Sequence, residues 1–374
     1  MNPISFVMAC FSILGALDLI IGNKFGLGKQ FERGIMLLGT MTISMVGMIV
    51  IAPLISKLLF PPLESLSNII PFDPSTIVGS LLANDMGGAT LAMEFAKSSQ
   101  VGYFNGLVVG SMMGATISFT IPLAMGTVPQ EKHDLLVLGL MCGIITIPLG
   151  CIVSGIIIGL TFVELMITLI PLILFAALLI IGLMKIPKIC IKIFKGFGLC
   201  IKVIILIGLA AGIFELLTGI ELIPYTDPIQ EGVDVVFNAA AVMTGAFPLV
   251  YILSRILDKA MKKVGGLLGI NVSSAIGFLS TLATNVTTFG NMKDMDDKGI
   301  VLNSAFAVSA AFVFAGHLAF TLSFNSEYVI SVIVGKLVAG VMSIFIGALM
   351  YKRMYEKKYT ENIKLNNIEN IKGA

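Results

Sequence analysis

Eleven apolar segments follow one another along this chain with little polar sequence between them, and that succession decides its solvent before anything else does. They lie at about 3–22, 34–60, 75–97, 103–126, 135–160, 161–184, 198–219, 233–257, 270–290, 300–323 and 328–351. Apolar runs of 18 or more residues mark helices that cross a bilayer. The 374 residues are 57% hydrophobic and 12% charged, with a mean hydropathy of +1.00, whereas a soluble domain carries ~25% charge. The fold class is therefore an all-α polytopic membrane protein. The N-terminal stretch has no basic leader and no small-residue cleavage site, so the first helix is expected to act as an uncleaved insertion signal. Cys10, Cys142, Cys151, Cys190 and Cys200 lie in or beside apolar segments without CxxC spacing. They read as small hydrophobes, not as metal ligands or disulfide partners.

Charge then chooses a topology, because cytoplasmic loops are enriched in Lys and Arg. If all eleven segments crossed, twelve basic residues would lie inside and ten outside, which is no preference. If segments 75–97 and 270–290 each enter and leave on one side, twenty lie inside. Two then lie outside (Lys57, Lys97), and Lys202 and Lys336 fall within helices. The expectation is about nine spanning helices plus two re-entrant hairpins, with the N-terminus outside and the C-terminus cytoplasmic.

The chain also matches itself at an offset of 198 residues from about 32 to 119. Gly34 pairs with Gly232, Gly47 with Gly245, Ser75 with Ser273, Gly79 with Gly277, Asn105 with Asn303 and Ser111 with Ser309. At an offset of 197, Asp18 falls opposite Glu215. With the parity above, the halves become inverted repeats, a transporter plan whose site lies at mid-membrane. The expected organisation is a first repeat over 1–160 and a linker helix with a basic cytoplasmic loop over 161–197. A second repeat over 198–351 and a flexible charged cytoplasmic tail over 352–374 follow.

Within LLANDMGGATLAMEF (81–95), Asn84, Asp85, Gly87 and Gly88 interrupt an otherwise apolar stretch. Nine helical residues up and nine down reach ~13 Å, close to the middle of a ~30 Å hydrocarbon layer. NDMGG is then the turn at the tip, where glycine permits backbone angles other residues resist. LATNVTTFGN (282–291) is its counterpart, bringing Asn285, Thr287 and Thr288 to the other tip. A carboxylate at that depth is costly and a functional candidate by default, usually paired with a cation. The plainer reading of Asp85 is a surface loop or a helix cap. Asn84 and Asn285 taken singly read as turn formers, and as a pair they read as turn formers or ligands. Asn105, Ser111, Asn303 and Ser309 share an i, i+6 spacing on the segments after the hairpins. They either line the site or hold helices together, while the glycines of GLVVGSMMG (106–114) read as close-packing positions.

His317, in FAGHLAF, is either a partner for a hydroxyl group or proton, or a satisfied buried histidine. For Asp18 and Glu215, near helix ends, capping or snorkelling is the simpler reading. Lys336 lies too deep in its segment to be ordinary, and a carboxylate partner is expected. No phosphate-binding loop, HExxH, GxSxG or His/Asp metal spacing is found, so neither an enzyme nor a cofactor is expected. The basic residues form short membrane-flanking clusters, which give nucleic-acid binding no support.

At LLANDMGGATLA (81–92), GLVVGSMMGATISFTIPLAMG (106–126), GIITIPLGC (143–151), ELIPYTDPI (221–229), ATNVTTFGNMKDMDDKG (283–299) and NSAFAVSAAF (303–312), the sequence resembles the ethanolamine utilization transporter (EutH) family over nearly its whole length. The resemblance implies uptake of ethanolamine across the bacterial cytoplasmic membrane, feeding an ammonia-lyase pathway in a microcompartment. It also implies an acidic residue just before His317, where this chain has Gly316. An alkylammonium has an ordinary pKa near ~10, so the amine is cationic at neutral pH. Asp85 is its expected counter-ion, with hydroxyls, amides, tip carbonyls or His317 taking the alcohol. Another small organic cation, a sodium-coupled carrier, an intramembrane enzyme and a receptor are the alternatives. A homo-oligomer is compatible with all of these.

Overall fold

The computed structural model describes residues 3–69 and 72–372, which are helical apart from short connections. Helix α1 (Pro3–Ile20) turns tightly into α2 (Leu27–Met41). Asp18 makes that turn. Its carboxylate accepts the N–H groups of Phe25 at 2.9 Å, Leu27 at 2.7 Å and Gly28 at 2.9 Å. These include the first donors of α2, which have no partner inside the helix, so capping is what the carboxylate does. Helix α2 runs through a wide π-wound turn, Thr42–Val46, into α3 (Gly47–Ile69).

Two short helices follow, α4 (Pro74–Leu81) and α5 (Gly88–Phe95), with a tight turn at Asn84–Met86 between them. Gly87 sits at φ 88° and starts α5, in a region other residues resist. Asp73 caps α4 by accepting from the Ser75 N–H at 3.0 Å, and its other oxygen accepts from the Lys97 N–H at 3.0 Å. One carboxylate thereby ties the end of this segment back to its beginning.

The hairpin rests on the central helix of the molecule, Ser99–Thr127. This opens as α6 (Ser99–Tyr103), is π-wound through Phe104–Gly114 and Thr116–Thr120, and closes as α7 (Ile121–Thr127). Its most apolar stretch is 83% buried, against 56% for the next most buried spanning candidate. Three glycines one turn apart form the seat. A side chain at Gly106 would run into Ala89, one at Gly110 would crowd Asn84, and one at Gly114 would overlap the Leu82 carbonyl. In lipid, small residues of this kind let backbones approach, and close packing supplies the association energy.

Around this axis stand α8 (His133–Ile157), α9 (Phe162–Lys185), α10 (Pro187–Thr218) and α11 (Ile229–Leu268). A second folded-back pair is α12 (Val272–Ala283) and α13 (Asn285–Gly290). Its ends also meet. The Asn271 N–H donates to the Asp296 carboxylate at 2.9 Å, and the Asn271 amide donates to the Asp294 carbonyl at 2.9 Å. The chain closes with α14 (Asp297–Ala310), α15 (Gly316–Phe324) and α16 (Val329–Lys372). Phe104, Leu107 and Met112 of the central helix pack in one core with Leu140 and Ile144 of α8, Leu172 of α9 and Val332 of α16.

Among the described residues, eight helices are long and apolar enough to cross a membrane, or up to nine if the bent pair Ala260–Leu268 and Val272–Ala283 counts as one span. Segment 300–323, expected as a single span, is broken instead. Residues 311–315 leave the helix because α12 offers them better partners: the Phe312 N–H donates to Thr281 O at 3.1 Å and the Phe314 N–H to Leu282 O at 3.0 Å. Phe312 takes φ 62°, a strained value for a bulky residue. The basic stretch before 198, expected as a loop, is helical from Pro187. It sets Lys188, Lys192 and Lys195 at i, i+4 and i+7 on an exposed face. The backbone of the expected tail continues α16 to Lys372, and residues 373–374 lie outside the described residues.

Candidate functional site

The two helix breaks meet at one turn of the central helix. At the first tip the Ala83 N–H donates to Ser118 Oγ at 3.1 Å. At the second, Asn285 Nδ2 donates to Thr120 Oγ1 at 3.1 Å. Thr116, just before them, donates to the Val308 carbonyl of α14 at 3.2 Å. Wide π turns commonly mark functional positions. Here they place Ser118 and Thr120 where both tips can reach them.

Beside this junction lies a cavity of about 210 Å³. One water needs ~15 Å³ on a comparable measure, and drug-sized sites run to ~300–1,000 Å³, so the space suits a very small guest. Four pieces of chain wall it. The first tip supplies Ala83, Asp85 and Met86, the π turn after α2 supplies Ser44, and the central helix supplies Ala115 and Phe119. The broken segment supplies Phe312 and His317. The Phe312 ring stands 5.6 Å from Phe119, edge to face, and 5.1 Å from the His317 ring. The wall thus offers one carboxylate, one hydroxyl, one imidazole and two aromatic rings, a set that favours a cation carrying a hydrogen-bonding group.

Asp85 is half-buried with its carboxyl toward this space. Among the described residues, no hydrogen bond from another side chain reaches it. Its electrostatic partner is Lys336 of α16. Lys336 is completely buried, and its ammonium donates to the Ser111 carbonyl of the central helix. His317 is buried at the start of α15, just past the break, and its Nδ1 has no hydrogen-bond partner among the described residues.

The other sequence candidates fall into two groups. Asn84, Ser309 and the Oδ1 atoms of Asn105, Asn285 and Asn303 are buried with no partner among the described residues. Asn84 adjoins Asp85 in the chain but is not part of the cavity wall. The donor groups of Asn105, Asn303 and Thr288 bond to the folded-back segments, whereas the Ser111 hydroxyl bonds within the central helix. Asn105 Nδ2 donates to Ser75 Oγ at 2.7 Å and Thr76 Oγ1 at 3.2 Å. Asn303 Nδ2 donates to Ser274 O at 2.8 Å and Gly299 O at 3.0 Å. Thr288 lies 2.8 Å from Thr281 Oγ1 and donates to Gly277 O at 3.2 Å, pinning α13 onto α12. Ser111 Oγ donates to Val108 O at 3.0 Å, while its carbonyl receives Lys336.

Sequence reasoning missed Ser44, Phe119 and Phe312 because nothing distinguishes one hydroxyl or phenyl ring among many in apolar helices. Among the described residues no group of His, Cys, Asp and Glu could hold a metal ion.

Comparison with known proteins adds a second line. The family described as ethanolamine utilisation protein, EutH, matches residues 2–350. This chain belongs to the EutH family. It is 45% identical over 354 residues to a Listeria monocytogenes protein named probable ethanolamine permease EutH, with 95% of each chain covered. A Salmonella typhimurium protein of the same name is 37% identical over 385 aligned positions, covering 93% of this chain and 94% of the relative. A Bacillus subtilis protein called uncharacterized protein YxeR is 34% identical over 349 residues, again covering 93% and 94%. No solved structure matches. Within this EutH chain, the glycine that stands where the resemblance implies an acidic residue falls at the site. A Cβ on Gly316 would lie 3.7 Å from Asp85 Oδ2.

Proposed function

We propose that this EutH chain is a multi-pass permease of the bacterial cell membrane that carries ethanolamine, as the protonated amine, through the cavity at Asp85. The observation that carries the reading is a carboxylate on the wall of a space of about 210 Å³ beside the point where the two helix breaks meet. The ammonium group sits against Asp85 and the faces of Phe119 and Phe312, and the alcohol is taken by Ser44 or His317. The names of the relatives, probable ethanolamine permeases, point to the same substrate.

In this reading α4–α5 and α12–α13 are re-entrant hairpins entering from opposite membrane faces, with the N-terminus outside and the C-terminus in the cytoplasm. The tied ends of each pair, at Asp73 with Lys97 and at Asn271 with Asp296, support it. So does the likeness of the contacts that Asn105 and Asn303 make to the start of α4 and of α12. The halves 1–160 and 198–351 act as inverted repeats about a linker helix and rock around the fixed site. Asn105, Asn303, Thr288 and Asn285 hold the hairpins, while Asp85 and His317 face the guest.

Purified protein in liposomes tests the reading. It should take up labelled ethanolamine, and excess unlabelled small primary amines should compete whereas neutral ethylene glycol should not. Uptake no faster than in protein-free liposomes would contradict the proposal.

A further inference from the structure

Lys336 is the buried charge that the reading above does not use. Its side chain has 0% exposure. Its ammonium has three donors, and the hydrogen-bond partner the structure gives it is the Ser111 carbonyl. That carbonyl stands about one helical turn from Ala115, which walls the cavity together with Asp85, and the charges of Lys336 and Asp85 act on each other. Among the described residues, the carboxylates on the elements packed against α16 stand at helix starts, and Glu327 lies in the exposed turn just before α16. On α8, His133 and Asp134 stand in the first turn, and Cys142 and Cys151 are the other titratable groups. On α14, Asp297 and Lys298 likewise stand in the first turn. The central helix carries no charged residue. A buried cation with no anion nearby is strongly unfavourable, and Asp85 is the carboxylate whose charge offsets that of Lys336.

Resting on the assignment of Asp85 as the ammonium acceptor, we propose that Lys336 is the resident counter-ion of the empty site and the competitor that substrate must displace. An arriving ammonium adds a second positive charge to a carboxylate already answered, and like charges repel strongly in a poorly screened interior. Part of the attraction to Asp85 is offset by that repulsion, which keeps binding weak enough for release, as conduction through a binding site requires. When the amine leaves, Lys336 neutralises Asp85 again. The empty hairpins then reset without a bare carboxylate in the low-dielectric layer.

Lys336→Gln separates this role from a structural one, because glutamine keeps a donor for the Ser111 carbonyl. By titration calorimetry of the full-length protein in nanodiscs, the variant should bind ethanolamine at least ten-fold tighter than wild type. In proteoliposomes it should exchange labelled for unlabelled ethanolamine more slowly. Unchanged or weaker binding would overturn the proposal. A second measurement needs no substrate: Asp85→Asn combined with Lys336→Gln should melt higher than Lys336→Gln alone, since no unpaired charge remains. If ethanolamine binds wild type but the double variant melts no higher, the pair is refuted and the permease reading stands. If the double variant is rescued but ethanolamine does not bind wild type, the pair is supported and the ethanolamine reading fails.

Discussion

Replacing Asp85 by asparagine removes one charge and almost no volume, so its effect measures the attraction between the site and the guest's ammonium group. At a contact of ~4 Å and an effective dielectric constant of ~20, that attraction is about 4 kcal/mol. The cavity suits this intermediate value, since Asp85 is half-buried and opens on space rather than on packed side chains. Asparagine still accepts a hydrogen bond, which returns about 1 kcal/mol. The net loss is about 3 kcal/mol, or roughly a hundred-fold in affinity at 1.4 kcal/mol per decade. Labelled-ethanolamine uptake well below saturation should fall by that factor in proteoliposomes carrying equal amounts of wild type and variant. Asp85→Glu should retain part of the activity. The fold should survive with a lower melting temperature, because no hydrogen bond from another side chain is lost but buried Lys336 loses its counter-charge. Uptake by Asp85→Asn within about three-fold of wild type, at matched incorporation, would refute the assignment.

Other perturbations probe the scaffold and the selectivity. Asp73→Ala removes the acceptor shared by the N–H groups of Ser75 and Lys97, hydrogen bonds to a charged group. It should cost about 2–4 kcal/mol, seen as a lower melting temperature in nanodiscs. Gly316→Asp would set a second carboxylate near Asp85 Oδ2. Two such groups resist ionising together, so the variant should be inhibited more strongly by 1,2-diaminoethane, which carries two amines, than wild type is. Burial, then Glu231 and Glu94, raise the pKa of Asp227 in the connection between α10 and α11. A carboxyl raised in the folded state loses stability as pH climbs through its folded value. Asp227→Asn should therefore raise the melting temperature slightly at pH 7 and leave it unchanged at pH 4.

What could be read from the residues, and what could not, divides along physical lines. Hydropathy marks the spans because lipid demands long apolar helices wherever they are placed. The distribution of Lys and Arg singles out 75–97 and 270–290, and each of these holds two short helices with a break between them. The break at 311–315 leaves no local sign. AFVFA contains no proline or glycine, and it unwinds because Thr281 and Leu282, distant in sequence, present free carbonyls to it. Lys336 stands out by its depth, but its hydrogen-bond partner, the Ser111 carbonyl, is set by how α16 packs on the central helix. Sequence distance hides that pairing. The spacing of Lys188, Lys192 and Lys195 was a helical signal that their charge obscured. The place of Asp85 on a cavity wall was legible because a carboxylate among apolar residues is costly.

On the proposed reading, two tied hairpins meet inside the bilayer and present Asp85 to a small ammonium ion. A density map of the protein in lipid nanodiscs, saturated with ethanolamine, tests it most directly. It should place residues 73 and 97 at one membrane face and residues 271 and 296 at the other, with ligand density between Asp85 and Phe312. Residues 73 and 97 on opposite faces, or saturating ethanolamine with no density at Asp85, would contradict it.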